Sequence, residues 1–245
     1  MSGFDLHNLV DLVSSTDSTG EDLAYTPEFQ QMLDAVGGQP ERVLGDILTP
    51  AVEPDWKRAI ALGTDLVSRS KDLRISIVLC QALLQTEGFS GLDAGTALTH
   101  RLLAEYWDSV YPQLDPDDND DPTERINALL NLCDRDAFLM PLRTVPLASS
   151  RTFGVVSLRD VEIARGESPE SASSGSQLDA ATIDAAFLEC DIERLRETAG
   201  AAASAAGNIE AIQAIVIDRV GVSDAPDFTP ILDVLSRVNK LLQAR

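Results

Sequence analysis

Apolar residues recur at helical spacing along almost the whole of this 245-residue chain, and that recurrence leaves few folds open. From Asp72 the series Leu73, Ile77, Cys80 and Leu84 runs at i, i+4, i+7 and i+11, with Val78, Leu79, Ala82 and Leu83 widening the stripe. A stripe that wide belongs to a helix at the centre of a core, buried on most sides. Leu98, Leu102, Tyr106 and Val110 form a second stripe, flanked by Leu103 and Trp107, and Ile126, Leu129, Leu130 and Cys133 form a third. Shorter helices are expected over 28–35 and 55–68. The pattern predicts a mainly all-α fold, a bundle-like domain of many helices.

Start and stop signals agree with these placements. Thr26-Pro27-Glu28 and Glu53-Pro54-Asp55 put proline at a first helical position, where its missing N–H costs nothing, with acids near the positive helix end. Ser70 or Asp72 can cap the helix that follows. Gly88 and Gly91 bracket Phe89-Ser90 in a predicted turn between two helices, where glycine can take positive φ. One stretch departs from helical spacing. Residues 144–148 and 153–156 are short β-branched-rich runs separated by Ser149-Ser150-Arg151, which predicts one small β-hairpin. Ser157 and Asp160 then have the spacing of a capping box for a short helix ending near Gly166.

Composition divides the chain after that helix. Residues 166–177, GESPESASSGSQ, are rich in Ser, Gly and Pro without apolar periodicity and predict a flexible linker, 167–178, between a helical domain at 1–166 and a block at 179–245. The block carries three stripes: Ile183, Phe187, Cys190 and Leu195; Ile209, Ile212, Val216 and Val220; Ile231, Leu235, Val238 and Leu242. Three such helices make a marginal bundle alone, so the block is expected to pack on the first.

Charge and cysteine usage narrow the function. Forty acids against nineteen bases give −21, which repels phosphate backbones and anionic lipid, so nucleic acid is not an expected partner. No apolar run approaches the roughly 20 residues that cross a bilayer, and the acid-bearing N-terminus lacks a signal peptide's positive region, so a cytoplasmic location without membrane insertion is expected. Cys80, Cys133 and Cys190 lie far apart on expected helix faces, as buried small hydrophobes do. His7 and His100 have no metal-ligand or triad pattern around them. Trp56 and Trp107 at helical spacing suit core anchors. No nucleophile elbow, phosphate-binding glycine loop or dinucleotide fingerprint is present, and no cofactor is expected.

One motif stands out chemically. Residues 111–125, YPQLDPDDNDDPTER, pack Asp115, Asp117, Asp118, Asp120 and Asp121 into seven positions. A calcium loop beginning at Asp115 would need glycine where Asp120 stands and a bidentate Glu where Ile126 stands, so the metal pattern fails at both diagnostic places. A paired-carboxylate enzyme needs two acids of separated pKa, usually one against an apolar wall; Trp107 and Tyr111 are near in sequence, but acids on a proline-flanked loop sit in water. Asp121, Pro122 and Glu124 have the pattern of a helix cap, a first-turn proline and an acid bonding back to the cap. Asp115, Asp117 and Asp118 are left as a protein-docking surface or a solvated turn.

Six ordered motifs together resemble a known family. STGEDLAYTPEF near the start, EPDW at 53–56, SKDLRI at 70–75, LLQTEGFSGL at 83–92, YWDSVYPQLDPDDNDDPTERINAL at 106–129 and FGVVSLRDVEIARGE at 153–167 are similar to the ImpA-related N-terminal domain that opens the TssA proteins of bacterial type VI secretion systems. The final block, with AFLECDIERLRE, IDRVG and APDFTPILDVLSRVNKLL, resembles the helical tail of that region. The resemblance implies a structural assembly component with no known enzyme activity, acting in the cytoplasm at the inner membrane. Its implied partners are baseplate, inner-tube and sheath proteins. It also implies that a ring-forming part lies C-terminal to the residues present here, making this chain an arm of a homo-oligomeric ring. The alternative from another class is a carboxylate- or metal-dependent enzyme built on the loop at 115–121.

Overall fold

The helix expected at the centre of the core is there. In the computed structural model, which describes residues 9–11, 13, 18–38, 42–44, 47–167 and 178–245 (backbone alone for 42–44 and 47–49), α3 (Leu73–Glu87) starts where Asp72 accepts from the Arg74 N–H at 2.8 Å. Its Leu73, Ile75, Ile77, Leu79, Cys80, Leu83 and Leu84 are all buried. The reason is position. α2 (Trp56–Arg69), α4 (Phe89–Tyr106) and α5 (Thr123–Leu130) cover different sides of it, and each enclosed aliphatic side chain contributes about 1.5–3 kcal/mol.

Glycines set how closely α3 and α4 meet. Gly88 joins them with φ +65, as a turn requires. Gly91 does not share that role; it lies inside α4, where a Cβ would fall 2.2 Å from the Leu83 carbonyl oxygen, so its missing side chain serves close packing. Gly95 repeats the arrangement one turn on, with a Cβ 2.5 Å from Cys80 Cα. The stripe placing Val110 on this helix runs too far: α4 ends at Tyr106, and Val110 is buried in the turn beyond.

Outside this centre, α1 (Pro27–Gly37), capped by Thr26, lies on α2, and Ser70 closes α2. There is a second antiparallel ribbon besides the expected hairpin, β1 (Arg42–Leu44) with β2 (Ile47–Thr49), in a separate sheet; runs of three residues are too short to show a period of two in sequence. The expected hairpin is β3 (Pro146–Ser150) with β4 (Gly154–Ser157), preceded by the short α6 (Met140–Thr144). β4 runs into α7 (Leu158–Ala164) through the capping box: Asp160 accepts from the Ser157 N–H at 2.8 Å while Ser157 Oγ accepts from the Asp160 N–H at 3.3 Å.

The linker expected at 167–178 falls almost wholly outside the described residues. After it come α8 (Ala180–Glu189), α9 (Ile192–Val220) and α10 (Thr229–Gln243). The stripe joining Ile183, Phe187, Cys190 and Leu195 is broken, because Asp191 takes an extended conformation and caps α9 by accepting from the Glu193 N–H at 2.9 Å. Leu195 therefore belongs to α9. This helix lies along α4 and α10, with Ile209, Ile212 and Val216 fully enclosed in the core cluster that also holds Leu98 and Leu102. Asn208 locks the pairing, donating to Asp93 Oδ1 at 3.0 Å and Thr96 Oγ1 at 3.3 Å. Among the described helices α9 alone has the length and, over one 18-residue window, the mean hydropathy, 1.3, of a bilayer span; its buried stripe and Asn208 give that composition a use within the fold.

Candidate functional site

The acidic loop begins where α4 stops. Ser109 and Val110 donate their N–H groups to the Tyr106 carbonyl at 2.9 and 2.7 Å, turning the chain back toward α3. Tyr111 then pairs with the entry to α3, its N–H on the Lys71 carbonyl at 2.9 Å and its carbonyl taking the Leu73 N–H at 2.8 Å. Past the cis Tyr111-Pro112 bond the loop closes on itself. Asp115 and Asp121 exchange N–H and carbonyl groups at 3.2 and 3.3 Å, a 3-10 turn occupies Pro116–Asp118, and Asn119 and Asp120 adopt left-handed backbone at φ 56 and 59. Asn and Asp tolerate that conformation better than other side chains, so the composition suits the knuckle's geometry.

The carboxylates divide between this framework and solvent. Asp115 accepts from the Asp117 N–H at 2.9 Å, and Asp121 accepts from the Thr123 N–H and hydroxyl at 3.2 and 3.0 Å. α5 opens at Thr123 with Pro122 at the cap, so Asp121, the expected cap, stands one residue before the observed one. The reciprocal bond expected from Glu124 has no donor to reach, because the Asp121 N–H is already given to the Asp115 and Asp118 carbonyls. Asp115, Asp117, Asp118 and Asp120 are exposed. Among the described residues no three His, Cys, Asp or Glu side chains gather to hold a metal ion.

Beneath the acids lies a residue the sequence analysis passed over. Arg125, 1% exposed, donates Nη1 to the Trp107 carbonyl at 2.5 Å, Nη2 to Val110 at 2.7 Å, and Nε and Nη2 to Pro112 at 3.0 and 2.9 Å. Its guanidinium stacks 4.8 Å from the centre of the Trp107 ring. A planar cation with five donors satisfies three carbonyls just past the C-terminal, negative end of α4, a task a lysine could not share. Burial pushes its pKa down to about 10 while Asp108 pulls it up, so it stays charged at neutral pH. The available signal was an arginine in register with Ala128 and Leu129 on α5's inner face.

Trp107 is a buried core anchor, and Arg219 also lies over its ring at 5.7 Å. The apolar wall that would raise a loop carboxylate's pKa is thus occupied by cations. Trp56 is half-buried against Ala35 and Ala59. Cys80 is enclosed and its thiol pKa is driven up by burial, which leaves it inert; Cys133 and Cys190 are only half-buried because both sit at helix ends. His100 lies half-buried on α4, and His7 is outside the described residues. The arrangement presents fixed negative charge on a rigid base and assembles no acid–base pair.

Comparison with known proteins now bears on the same region. The family model described as ImpA, N-terminal, type VI secretion system, matches residues 10–134, a span holding α3, α4, the whole acidic loop and Arg125. The chain belongs to the TssA family. It is 38% identical over 231 residues to the type VI secretion system component TssA1 of Pseudomonas aeruginosa, covering 94% of this chain and 66% of that protein. It is also similar to the solved N-terminal domain, including the conserved ImpA_N region, of the TssA component from Burkholderia cenocepacia, with 25% identity, a TM-score of 0.78, and coverage of 98% of this chain and 92% of that one. The TssA resemblance read from six motifs therefore holds, and the likeness of fold extends through α8, α9 and α10.

Proposed function

We propose that this chain is the docking arm of a TssA-type component of a type VI secretion system, a non-enzymatic assembly part working in the cytoplasm beside the machine at the inner membrane. Asp115, Asp117 and Asp118 form its docking surface, which meets a basic face of a baseplate, tube or sheath protein. In the whole protein, further chain joins such arms into a homo-oligomeric ring. The observation carrying this reading is the knuckle at 115–121, which holds exposed carboxylates on a turn closed by its own backbone bonds, next to a 107–112 segment tied down by Arg125. Preformed charge costs little ordering entropy on binding and steers association.

Binding of the 245-residue chain to purified baseplate, tube and sheath proteins tests the reading. Single Asp→Asn changes at Asp115, Asp117 or Asp118 should weaken binding by small graded steps, and added salt should weaken it further. Binding that survives the triple change in full would remove the loop from the contact. An all-or-none loss from Asp117→Asn alone would favour a carboxylate chemistry instead.

A further inference from the structure

A chain of −21 leaves few cations to spare, yet four of its nineteen Lys and Arg side chains line one groove. The groove runs between α7 and the last turns of α10 with a cavity of about 300 Å³, floored by Leu158, Val161 and Leu241. It continues over Val161 into a second hollow of about 260 Å³ reaching Ala164 and Ile183. Two of the cations are spoken for: Arg237 lies against Glu162 and Glu167, and Arg245 pairs with Asp184 and stacks on Phe187 at 4.9 Å. The other two, Arg165 and Lys240, are exposed and make no ion pair with any described residue.

A buried acceptor adds a second feature. Glu162, 1% exposed, accepts on Oε2 from Arg143 Nη2 and Nε at 2.5 and 2.8 Å. Its Oε1 lies 2.7 Å from Arg237 Nη2, so this buried carboxylate is ion-paired through both oxygens and holds Arg237 at the groove's edge.

We propose that the groove docks an acidic peptide segment of a partner protein. An apolar side chain fills the floor, and flanking carboxylates meet Arg165 and Lys240. The apolar floor favours a peptide over a free inorganic anion, which would gain nothing from Leu158, Val161 and Leu241. Body charge does not forbid it, since fields are screened beyond about 8 Å at physiological salt while contacts inside the groove are not. This surface is independent of the acidic loop and opposite to it in sign.

Fluorescence polarisation with labelled peptides EELEE, QQLQQ and EEGEE on the 245-residue chain tests it. EELEE should bind more tightly than both others, and Arg165→Glu with Lys240→Glu should weaken it at least about tenfold. Arg165→Gln with Lys240→Gln should weaken it less, with the melting temperature of both variants unchanged, and Asp117→Asn with Asp118→Asn should have no effect. The proposal is overturned by absence of EELEE binding at about 1 mM, by equal binding to the Arg165→Glu, Lys240→Glu variant, or by QQLQQ binding as tightly. Equal affinity for inorganic phosphate would overturn it in favour of a small-anion site.

Discussion

Two parts of one short stretch, 115–125, carry charge in opposite ways. The aspartates at 115, 117, 118 and 120 stand in water on a turn whose backbone holds its own shape, while Arg125 sits in the interior with every polar contact made to a carbonyl. Many charges in water contribute little to stability; one buried charge with fixed partners contributes much. Sequence composition advertises the first and hides the second. The Asp117, Asp118 and Asp120 carboxylates face solvent, while Asp115 also accepts from the Asp117 N–H.

The sharpest way to break this contrast is Arg125→Ala, which strands the carbonyls of Trp107, Val110 and Pro112. It should cost about 4 kcal/mol and lower the melting temperature by roughly 10 °C. Arg125→Lys keeps the charge but loses the planar fork, and should still cost about 2 kcal/mol in a denaturant titration. Glu162→Ala asks whether burial or sign matters. It deprives Arg143 and Arg237 of a shared partner, but both can turn toward water, so a loss of about 2 kcal/mol is expected by the same titration. Asp121→Ala removes the bonds to Thr123 at the entry to α5 and should cost about 1 kcal/mol. A cost equal to that of Arg125→Ala would erase the contrast.

The helices were legible because their signals are local. The period from Leu73 to Leu84, the Asp72 cap and the Ser157 capping box each need only a few neighbouring residues, and each is found in place. Boundaries failed where a distant or competing group decided them. Val110 keeps helical spacing, but Arg125 takes the carbonyls that would have continued α4; Leu195 keeps spacing with Cys190, but Asp191 prefers to cap. The closed form of the acidic loop rests on an exchange of backbone bonds between Asp115 and Asp121, which no side-chain pattern records. Arg125 itself reads as an ordinary helix arginine until the partners it reaches, 13 to 18 residues earlier in the chain, are known.

The most direct measurement pairs a thermal melt with affinity for purified baseplate, tube and sheath proteins on the Asp115→Asn, Asp117→Asn, Asp118→Asn variant. An unchanged melting temperature with affinity weakened at least about tenfold is the expected result, since these acids are exposed and an amide keeps the side-chain oxygen that accepts from the Asp117 N–H. A lowered melting temperature with affinity intact would contradict the account, placing the acids in the fold and the contact elsewhere.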